Sequence, residues 1–310
     1  MKTFEFEKIQ DFKYGENPHQ QASLYKYDSE IDYELLKGNS LSYNNILNAT
    51  TALDTAAEFF DVAGCVVVKN SNPVSVALGA NPVQAYEKTL DSDPVSHFNS
   101  TIAFTREVDK ELAQKLSEMS VELLIAPSFS KDAEEILNKN KNLKILKINT
   151  PLNKIPSLVQ EEIKMTPFGA LIQEKNLKDF DKETFKILTK KKPIQSELED
   201  MIFAFKVVKH VKSSAIVIAK DLRTLAISGG EGNRIDSVEI AFSKVCDSAK
   251  NSVVASDGAF TTINNIQVAA QNRAAGIIQP AGTVRDSQIA EYSDKMNISI
   301  VATGIRHLKY

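Results

Sequence analysis

The stretch LDTAAEFFDVAGCVVV, residues 53–68, decides the fold class of this chain. Its apolar positions 53, 56, 57 and 60 share one face at helical spacing, which predicts an amphipathic helix. The run CVVV at 65–68 follows closely and is typical of a strand that is covered on both faces. A helix that leads into such a strand indicates an α/β fold.

Outward from this stretch, helical segments alternate with short apolar runs. Asp109 and Ser130 are placed to cap two helices, and strands are predicted after them at 121–126 and 143–148. The first forty residues, rich in Tyr, Asn and Gly, are expected to be mostly loop. Together these segments predict a first lobe over residues 1–150, with an N-terminal segment that binds substrate.

The character of the sequence changes after residue 150. Three prolines and the basic run Lys190–Lys192 predict a connection over residues 151–195. Ser196 and Glu199 then form a capping-box pattern at the start of a helix. Strands and helices alternate again from there, which predicts a second lobe over 196–310 and a duplicated α/β unit.

Composition excludes several classes of protein. Lys and Arg total 37 against 40 for Asp and Glu, so the net charge of -3 gives no electrostatic footprint for nucleic acid. The N-terminus MKTFEFEKIQ is charged throughout, and no apolar run reaches the roughly 18 residues of a membrane span. We therefore expect a cytoplasmic chain with neither nucleic acid nor membrane as a partner.

Cysteine and histidine usage gives no sign of a metal centre. Cys65 and Cys246 lie in or beside apolar runs, and we expect two buried thiols. The four histidines share no ligand spacing, so no metal site is predicted.

Polar side chains concentrate in loops, where α/β proteins usually place ligands. Glycines 229, 230 and 232 could present backbone N–H groups to an anion, or could form an ordinary tight turn. The polar loops are Lys13–Gln20, Leu41–Asn45, Lys69–Pro73, Ser228–Arg234, Ala255–Gly258, Gln279–Asp286 and Thr303–His307. They predict a polar, Asn-rich ligand cleft.

Seven segments occur in the order and spacing of one protein family. They are Lys13–Gln20, Leu41–Asn45, Lys69–Pro73, Ile102–Asp109, Glu197–Ser213, Ala255–Asp257 and Gln279–Asp286. Together they resemble the transformylase part of the bifunctional phosphoribosylaminoimidazolecarboxamide (AICAR) formyltransferase/IMP cyclohydrolase family. The family's cyclohydrolase domain has no counterpart in this sequence, so we expect no IMP cyclohydrolase activity.

The resemblance implies two three-layer lobes similar to cytidine deaminase, duplicated and zinc-free, in a homodimer with active sites at the subunit interface. It implies transfer of a formyl group from 10-formyltetrahydrofolate, as co-substrate, to the 5-amino group of 5-aminoimidazole-4-carboxamide ribonucleotide in de novo purine biosynthesis. The expected protein is a stand-alone formyltransferase that requires no metal.

The resemblance also assigns the site residues. The substrate-binding positions are Lys13, Tyr14, Asn45, Asn72, Ser214, Asp257 and Arg306. The positions assigned to the formyl donor are Gly230, Arg234 and Phe260. The catalytic candidates are Lys69 and Asn70, which align with the family's catalytic pair, and His97, which the family does not carry.

The chain departs from the family at the catalytic pair. The family motif K-H-x-N-P stands here as residues 69–73, KNSNP, so Asn70 replaces the histidine and cannot take up a proton near pH 7. The family motif S-A-F-G-G stands at 96–100 as SHFNS and gains His97, which is either a relocated base or a packing residue. Lys69 is expected to stabilise the oxyanion that forms at the formyl carbon.

Three binding positions differ as well. The family's phosphate-contacting Arg is Lys13, its Asn in S-N-A is Ser214, and its A-F-F-P-F run is residues 258–262, GAFTT. The nucleotide half of the site is therefore better kept than the folate half. Three hypotheses stay open: an active transformylase that differs in its base or formyl donor, a binding or regulatory homologue, and a formyltransferase that uses another donor such as activated formate.

Overall fold

The computed structural model describes residues 2–26 and 30–310, without the side chains of residues 246 and 247. The fold is mixed α/β, with helices packed on sheets that contain parallel and antiparallel strands. Contacts divide the chain into two compact units. Unit 1 comprises the chain up to Ser71, Asn81–Val83 and His97–Lys178, and unit 2 comprises Asn72–Ala80, Gln84–Ser96 and Asp179–Tyr310.

These units do not follow the division expected from the sequence. Residues 72–80 and 84–96 belong to unit 2, although they fall inside the expected lobe 1–150. The expected connection 151–195 is shared between the units. The reason at 72–80 is strand pairing: Ala77 pairs with Arg223, which is distant in sequence.

The strands of the described residues are, in chain order, β1 (Glu7–Phe12), β2 (Ala22–Lys26), β3 (Tyr33–Lys37), β4 (Ala63–Lys69), β5 (Asn72–Gly79), β6 (Thr101–Phe104), β7 (Leu123–Ala126), β8 (Lys144–Ile148), β9 (Glu161–Thr166), β10 (Gly169–Glu174), β11 (Lys186–Ile187), β12 (Ile216–Lys220), β13 (Arg223–Ser228), β14 (Val253–Ser256), β15 (Gly276–Gln279) and β16 (Ser299–Ala302). The α-helices are α1 (Tyr43–Ala57), α2 (Pro82–Ser92), α3 (Pro94–His97), α4 (Lys110–Ser117), α5 (Lys131–Leu137), α6 (Gln195–Val208), α7 (Arg234–Val245), α8 (Ile263–Gln271) and α9 (Asp286–Lys295). Short 3-10 segments occupy Leu152–Leu158, Lys182–Thr184 and Cys246–Ala249.

The main sheets of the two units have the same arrangement. In unit 1 the strand order is β4-β6-β7-β8-β3, and β6 to β8 run parallel between antiparallel neighbours. In unit 2 the order β12-β14-β15-β16-β11 repeats this pattern, with β14 to β16 parallel. β13 pairs with β12 on the other side, and β5 lies next to β13.

Both units also hold an equivalent turn in the same way. The turn after β4, Asn70–Ser71, and the turn after β12, Asp221–Leu222, have φ between 52° and 57°. This left-handed region favours Asn and Asp among non-glycine residues. Asn48, sixth in α1, accepts a hydrogen bond from the second N–H of the first turn at 2.8 Å, and Asp200, sixth in α6, does the same for the second turn at 2.7 Å.

Helix starts confirm two of the three capping predictions. Asp109 and Ser130 are N-caps, and their side chains accept hydrogen bonds from backbone N–H groups of α4 and α5. The capping box at Ser196 and Glu199 is wrong, because α6 begins at Gln195 and it is Glu197 that accepts from the N–H of residue 194 at 3.1 Å.

The core strands are buried as predicted. Val66, Val67 and Val68 are 0% exposed, and so is Cys65; the side chain of Cys246 lies outside the described residues. Phe60 is 47% exposed, because α1 ends before it and the predicted helical face stops earlier. The first forty residues are not mostly loop, since they contain β1, β2 and β3.

In the described part of the chain, no helix has the length and apolar character needed to cross a membrane. Among the same residues, no group of three or more His, Cys, Asp and Glu side chains is suited to a metal ion.

Candidate functional site

A cavity of about 490 Å³ lies at one edge of the unit 2 sheet. Loops after the carboxyl ends of β13, β14, β15 and β16 meet there, together with the segment that enters β12. Convergence of such loops is where α/β sheets place ligands. This cavity, called the unit 2 cavity, is lined by Ser213, Ser214, Glu231, Gly232, Arg234, Gly258, Ala259, Thr261, Thr283, Arg306, Leu308 and Tyr310.

Arg234 is the most firmly held charge in this wall. Its Nη2 donates to Oδ1 of Asp257 at 2.6 Å, and its Nε donates to Oγ of Ser256 at 2.9 Å. The Arg234 side chain is 19% exposed and that of Asp257 is 0% exposed. A guanidinium with two donors fixed on protein acceptors presents its remaining N–H groups in a set direction, which suits an anionic ligand.

Asp257 is fully used inside the protein. Its Oδ2 accepts from Oγ of Ser213 at 2.5 Å, and its backbone carbonyl accepts from the N–H of His307 at 3.1 Å. Ser213 and Lys309 also exchange two hydrogen bonds, both at 3.0 Å. This network ties the loop after β14 to the C-terminal segment that carries Arg306.

Glycines allow two close approaches around the cavity. A Cβ at Gly258 would lie 2.5 Å from Nη2 of Arg234, so only glycine lets the guanidinium cross this backbone. A Cβ at Gly229 would lie 2.2 Å from the carbonyl oxygen of Lys212. Gly230 has φ of 87° and open space around it, so its conformation, rather than its packing, favours glycine.

Asn72 belongs to a second cavity of unit 2, of about 450 Å³. Its Oδ1 accepts from the N–H of Lys212 at 3.0 Å, so the amide holds the segment that leads to Ser213 and Ser214. Glu231 lines both cavities of unit 2. Asn72 is therefore connected to the unit 2 cavity through the backbone it supports.

Unit 1 carries the first predicted motif. Lys13 is exposed, and its Nζ lies 6.0 Å from the ring centre of Tyr14. Both residues line a cavity of about 170 Å³ together with Ser42 and Lys144. Asp11 lines the same cavity, so its wall carries charge of both signs.

Asn45 is buried, and its amide is occupied by protein. Its Oδ1 accepts from the N–H of Ser42 at 3.0 Å and from Nζ of Lys144 at 2.5 Å, and its Nδ2 donates to Glu122 at 2.7 Å. Ser42 Oγ in turn accepts from the N–H of Asn45. Asn45 thus completes a capping box at the start of α1 and positions Lys144, although the sequence assigned it to substrate.

The catalytic candidates lie at one edge of the unit 1 sheet. Val68 pairs with Thr101 across the antiparallel β4–β6 ladder, so the end of β4 at Lys69 adjoins the segment that enters β6 and contains His97. Lys69 is half-buried and Asn70 is exposed. His97 is 0% exposed, so its imidazole is enclosed by protein.

Phe260 is placed differently from the expectation. It is 0% exposed and belongs to the hydrophobic core of unit 2, where its N–H donates to Oε1 of Gln279 at 2.7 Å. The cavity wall takes its neighbours Ala259 and Thr261 instead.

Comparison with known proteins gives the relationship. The family model for the AICARFT/IMPCHase bienzyme matches residues 1–244, which is most of the chain. The chain belongs to the AICARFT/IMPCHase bienzyme family. It is 42% identical over 315 residues to the bifunctional purine biosynthesis protein PurH of Caldicellulosiruptor saccharolyticus, and 42% identical over 313 residues to those of Bacillus thuringiensis strain Al Hakam and Bacillus cereus strain B4264.

These alignments cover 99% of this chain and 60% of each relative. The chain thus spans about three fifths of the length of the curated relatives it matches.

In this AICARFT/IMPCHase family member, the structure brings Ser214, Arg234 and Arg306 together in one cavity wall, and Asp257 lies directly behind it. Sequence reasoning missed Ser213 and Ser256, which hold Asp257 and Arg234 in place. The only sequence feature that could have pointed to them is their position, since each directly precedes an assigned residue. The contacts that give them a role depend on the fold.

Proposed function

We propose that this chain transfers a formyl group from 10-formyltetrahydrofolate to the 5-amino group of 5-aminoimidazole-4-carboxamide ribonucleotide. The observation that carries the proposal is the unit 2 cavity, in which Ser214, Arg234 and Arg306 share one wall in a chain of the AICARFT/IMPCHase family. Both substrates are anions, and two guanidinium groups on a polar wall match that chemistry.

The reaction needs three things from the protein. The amine is conjugated with the imidazole ring and its carboxamide, so it must be held within attack distance of the formyl carbon. The oxyanion formed by the attack must be stabilised, and the proton that the amine loses must be taken up while N10 of the departing tetrahydrofolate gains one. Side chains are assigned to positioning and to oxyanion stabilisation, and the proposal includes no metal.

We propose the residue roles that the family resemblance implies. Lys69, at the end of β4, stabilises the oxyanion as a point charge, and Asn70, exposed in the left-handed turn beside it, orients the carboxamide. Arg306 and Ser214 hold the ribonucleotide, with Lys13 and Tyr14 as its further contacts. Gly230 and Arg234 hold the formyl donor.

The deciding assay mixes the purified protein, the ribonucleotide and 10-formyltetrahydrofolate and follows tetrahydrofolate release. Lys69→Ala is expected to lower kcat by about 10²- to 10³-fold, the usual effect of removing one oxyanion-stabilising group. Glu291→Gln, in an exposed ion pair with Lys295, is the matched control and should leave turnover unchanged. Absence of formyl transfer by the wild-type protein would refute the proposal.

A second candidate function has its own support. Asn70 has no usable basicity and His97 is enclosed, so a homologue that binds the ribonucleotide without turning it over also fits these positions. Calorimetry separates the two functions. Ribonucleotide binding with no release of tetrahydrofolate supports the binding protein, and turnover supports the enzyme.

The proposal extends to architecture and place. The repeated strand order and the equivalent turns support a duplicated unit of the cytidine deaminase type. A homodimer with interface active sites and a cytoplasmic location complete the proposal, on the strength of the family resemblance.

A further inference from the structure

The carboxylate of Asp257 is turned away from any ligand. It is 0% exposed, and each of its oxygens already accepts a hydrogen bond, one from Arg234 and one from Ser213. A carboxylate with no exposed surface cannot contact substrate unless the residues in front of it move. Its role must therefore be sought in the groups it holds.

The group that it holds is aimed at the cavity. Arg234 uses Nη2 on Asp257 and Nε on Ser256, which fixes the plane of the guanidinium from one side. Arg234 lines the unit 2 cavity, so the donors not used on protein are the ones a ligand can reach. Because a guanidinium is planar, fixing two of its nitrogens fixes the third.

Asp257 is itself held rigidly. Its N–H donates to the carbonyl of Ala215 at 3.4 Å, and its carbonyl accepts from the N–H of His307 at 3.1 Å. Gly258, the next residue, leaves the space that the guanidinium occupies. The arrangement is a built socket for a guanidinium, with two acceptors along one edge of the group and no side chain at Gly258 to obstruct it.

We propose that Asp257 is a positioning residue, which acts on the reaction through Arg234. The role rests on the proposed function, since Arg234 is there assigned to the formyl donor. Neutralising the carboxylate removes the charge that holds Arg234, while the ligand-facing wall keeps all its other groups.

Kinetics give the first test. Asp257→Asn is expected to raise KM for 10-formyltetrahydrofolate about tenfold or more and to leave kcat within about threefold, because it loosens a binding group and no reacting one. In an Arg234→Ala background the same substitution should add less than about twofold, since residues that act as one unit are not additive. Fully additive losses, or a loss in kcat alone, would overturn the proposal.

Chemical rescue gives the second test and needs no turnover. Arg234→Ala leaves the socket empty, so methylguanidinium should raise its melting temperature and lower its KM, whereas methylammonium, which lacks the planar fork, should not. The double variant Arg234→Ala/Asp257→Asn should respond to neither. An equal thermal response in both variants refutes the socket, even if Asp257→Asn alone folds poorly.

The experiments distinguish a failure of the transformylase proposal from a failure of the proposed role of Asp257. A wild-type protein that releases no tetrahydrofolate refutes the transformylase function, and the thermal response to methylguanidinium still decides the role of Asp257. Glu291→Gln serves again as the control that should show no change in KM or in the thermal response.

Discussion

Replacing Gly229 by alanine tests how tightly the unit 2 cavity is built. The added Cβ would lie 2.2 Å from the carbonyl oxygen of Lys212 and 2.8 Å from Cγ1 of Val211. Ordinary contacts between such atoms begin near about 3.5 Å, so the two backbone segments must separate by roughly 1 Å. The obstacle is backbone, which cannot move aside as a flexible side chain can.

The cost can be worked from the same contacts. Gly230 N–H donates to the carbonyls of Lys212 at 3.1 Å and Ser213 at 3.2 Å, and separation of the segments weakens this shared bond by about 1 kcal/mol. Overpacking adds about 1–3 kcal/mol. Gly229→Ala should therefore lower the free energy of unfolding by about 2–4 kcal/mol.

Gly232→Ala is the matched control in the same loop. A Cβ there meets nothing within 4 Å, and its φ is not positive, so the variant should be neutral or more stable by about 0.4–1 kcal/mol. Urea unfolding followed by circular dichroism gives both values. If the two variants differ by less than about 0.5 kcal/mol, the close approach at Gly229 does not exist in solution and the reasoning fails.

Three further predictions concern buried polar groups. Asn45→Ala should cost about 2–3 kcal/mol in urea unfolding, because it removes a cap and leaves part-buried charges without a partner, whereas exposed Asn44→Ala should stay within about 0.5 kcal/mol. Burial raises the pKa of Asp200, so its charged form is disfavoured in the folded state. The free energy of unfolding of the wild type, minus that of Asp200→Asn, should thus fall as pH rises above about 4. A wild type that becomes more stable relative to the variant as pH rises would contradict this. His97→Ala should lower stability by about 1–3 kcal/mol and leave kcat within about threefold, since its side chain is enclosed; a loss of 10²- to 10⁴-fold in kcat would instead identify it as the base.

The sequence predicted the central strands of each sheet because their signal is local. Val66 to Val68 form an unbroken β-branched run. Such a run has no polar face to expose to water, so it is typical of a strand buried on both faces. The strands β1, β2, β9 and β10, which form two separate two-stranded sheets, were not predicted, because none of their residues is buried and they carry mixed polar and apolar residues. They are strands because each pairs with a neighbouring strand, and a local sequence pattern does not predict that pairing.

The candidate site was predicted in part for a similar reason. Loops after strands pointed to Arg234 and Arg306, the family resemblance pointed to Ser214, and the sheet brings all three to one edge. The direction in which a side chain points could not be predicted. Asp257 and Phe260 sit next to cavity residues in sequence, yet one lies behind the wall and the other in the core.

The paired turns have a practical consequence for mutational work. Asn48 and Asp200 are each the sixth residue of their helix, and each accepts a hydrogen bond from a left-handed turn. Only the turn bonded to Asn48 directly follows Lys69. Asp200 accepts from both N–H groups of its turn and Asn48 from one, so alanine at Asp200 disturbs its turn at least as strongly as alanine at Asn48 disturbs the other. Substituting alanine at each position in turn therefore provides a comparison within one chain. A loss of turnover at Asn48 that Asp200→Ala does not share is assigned to the surroundings of Lys69, and not to the loosening of a left-handed turn in general.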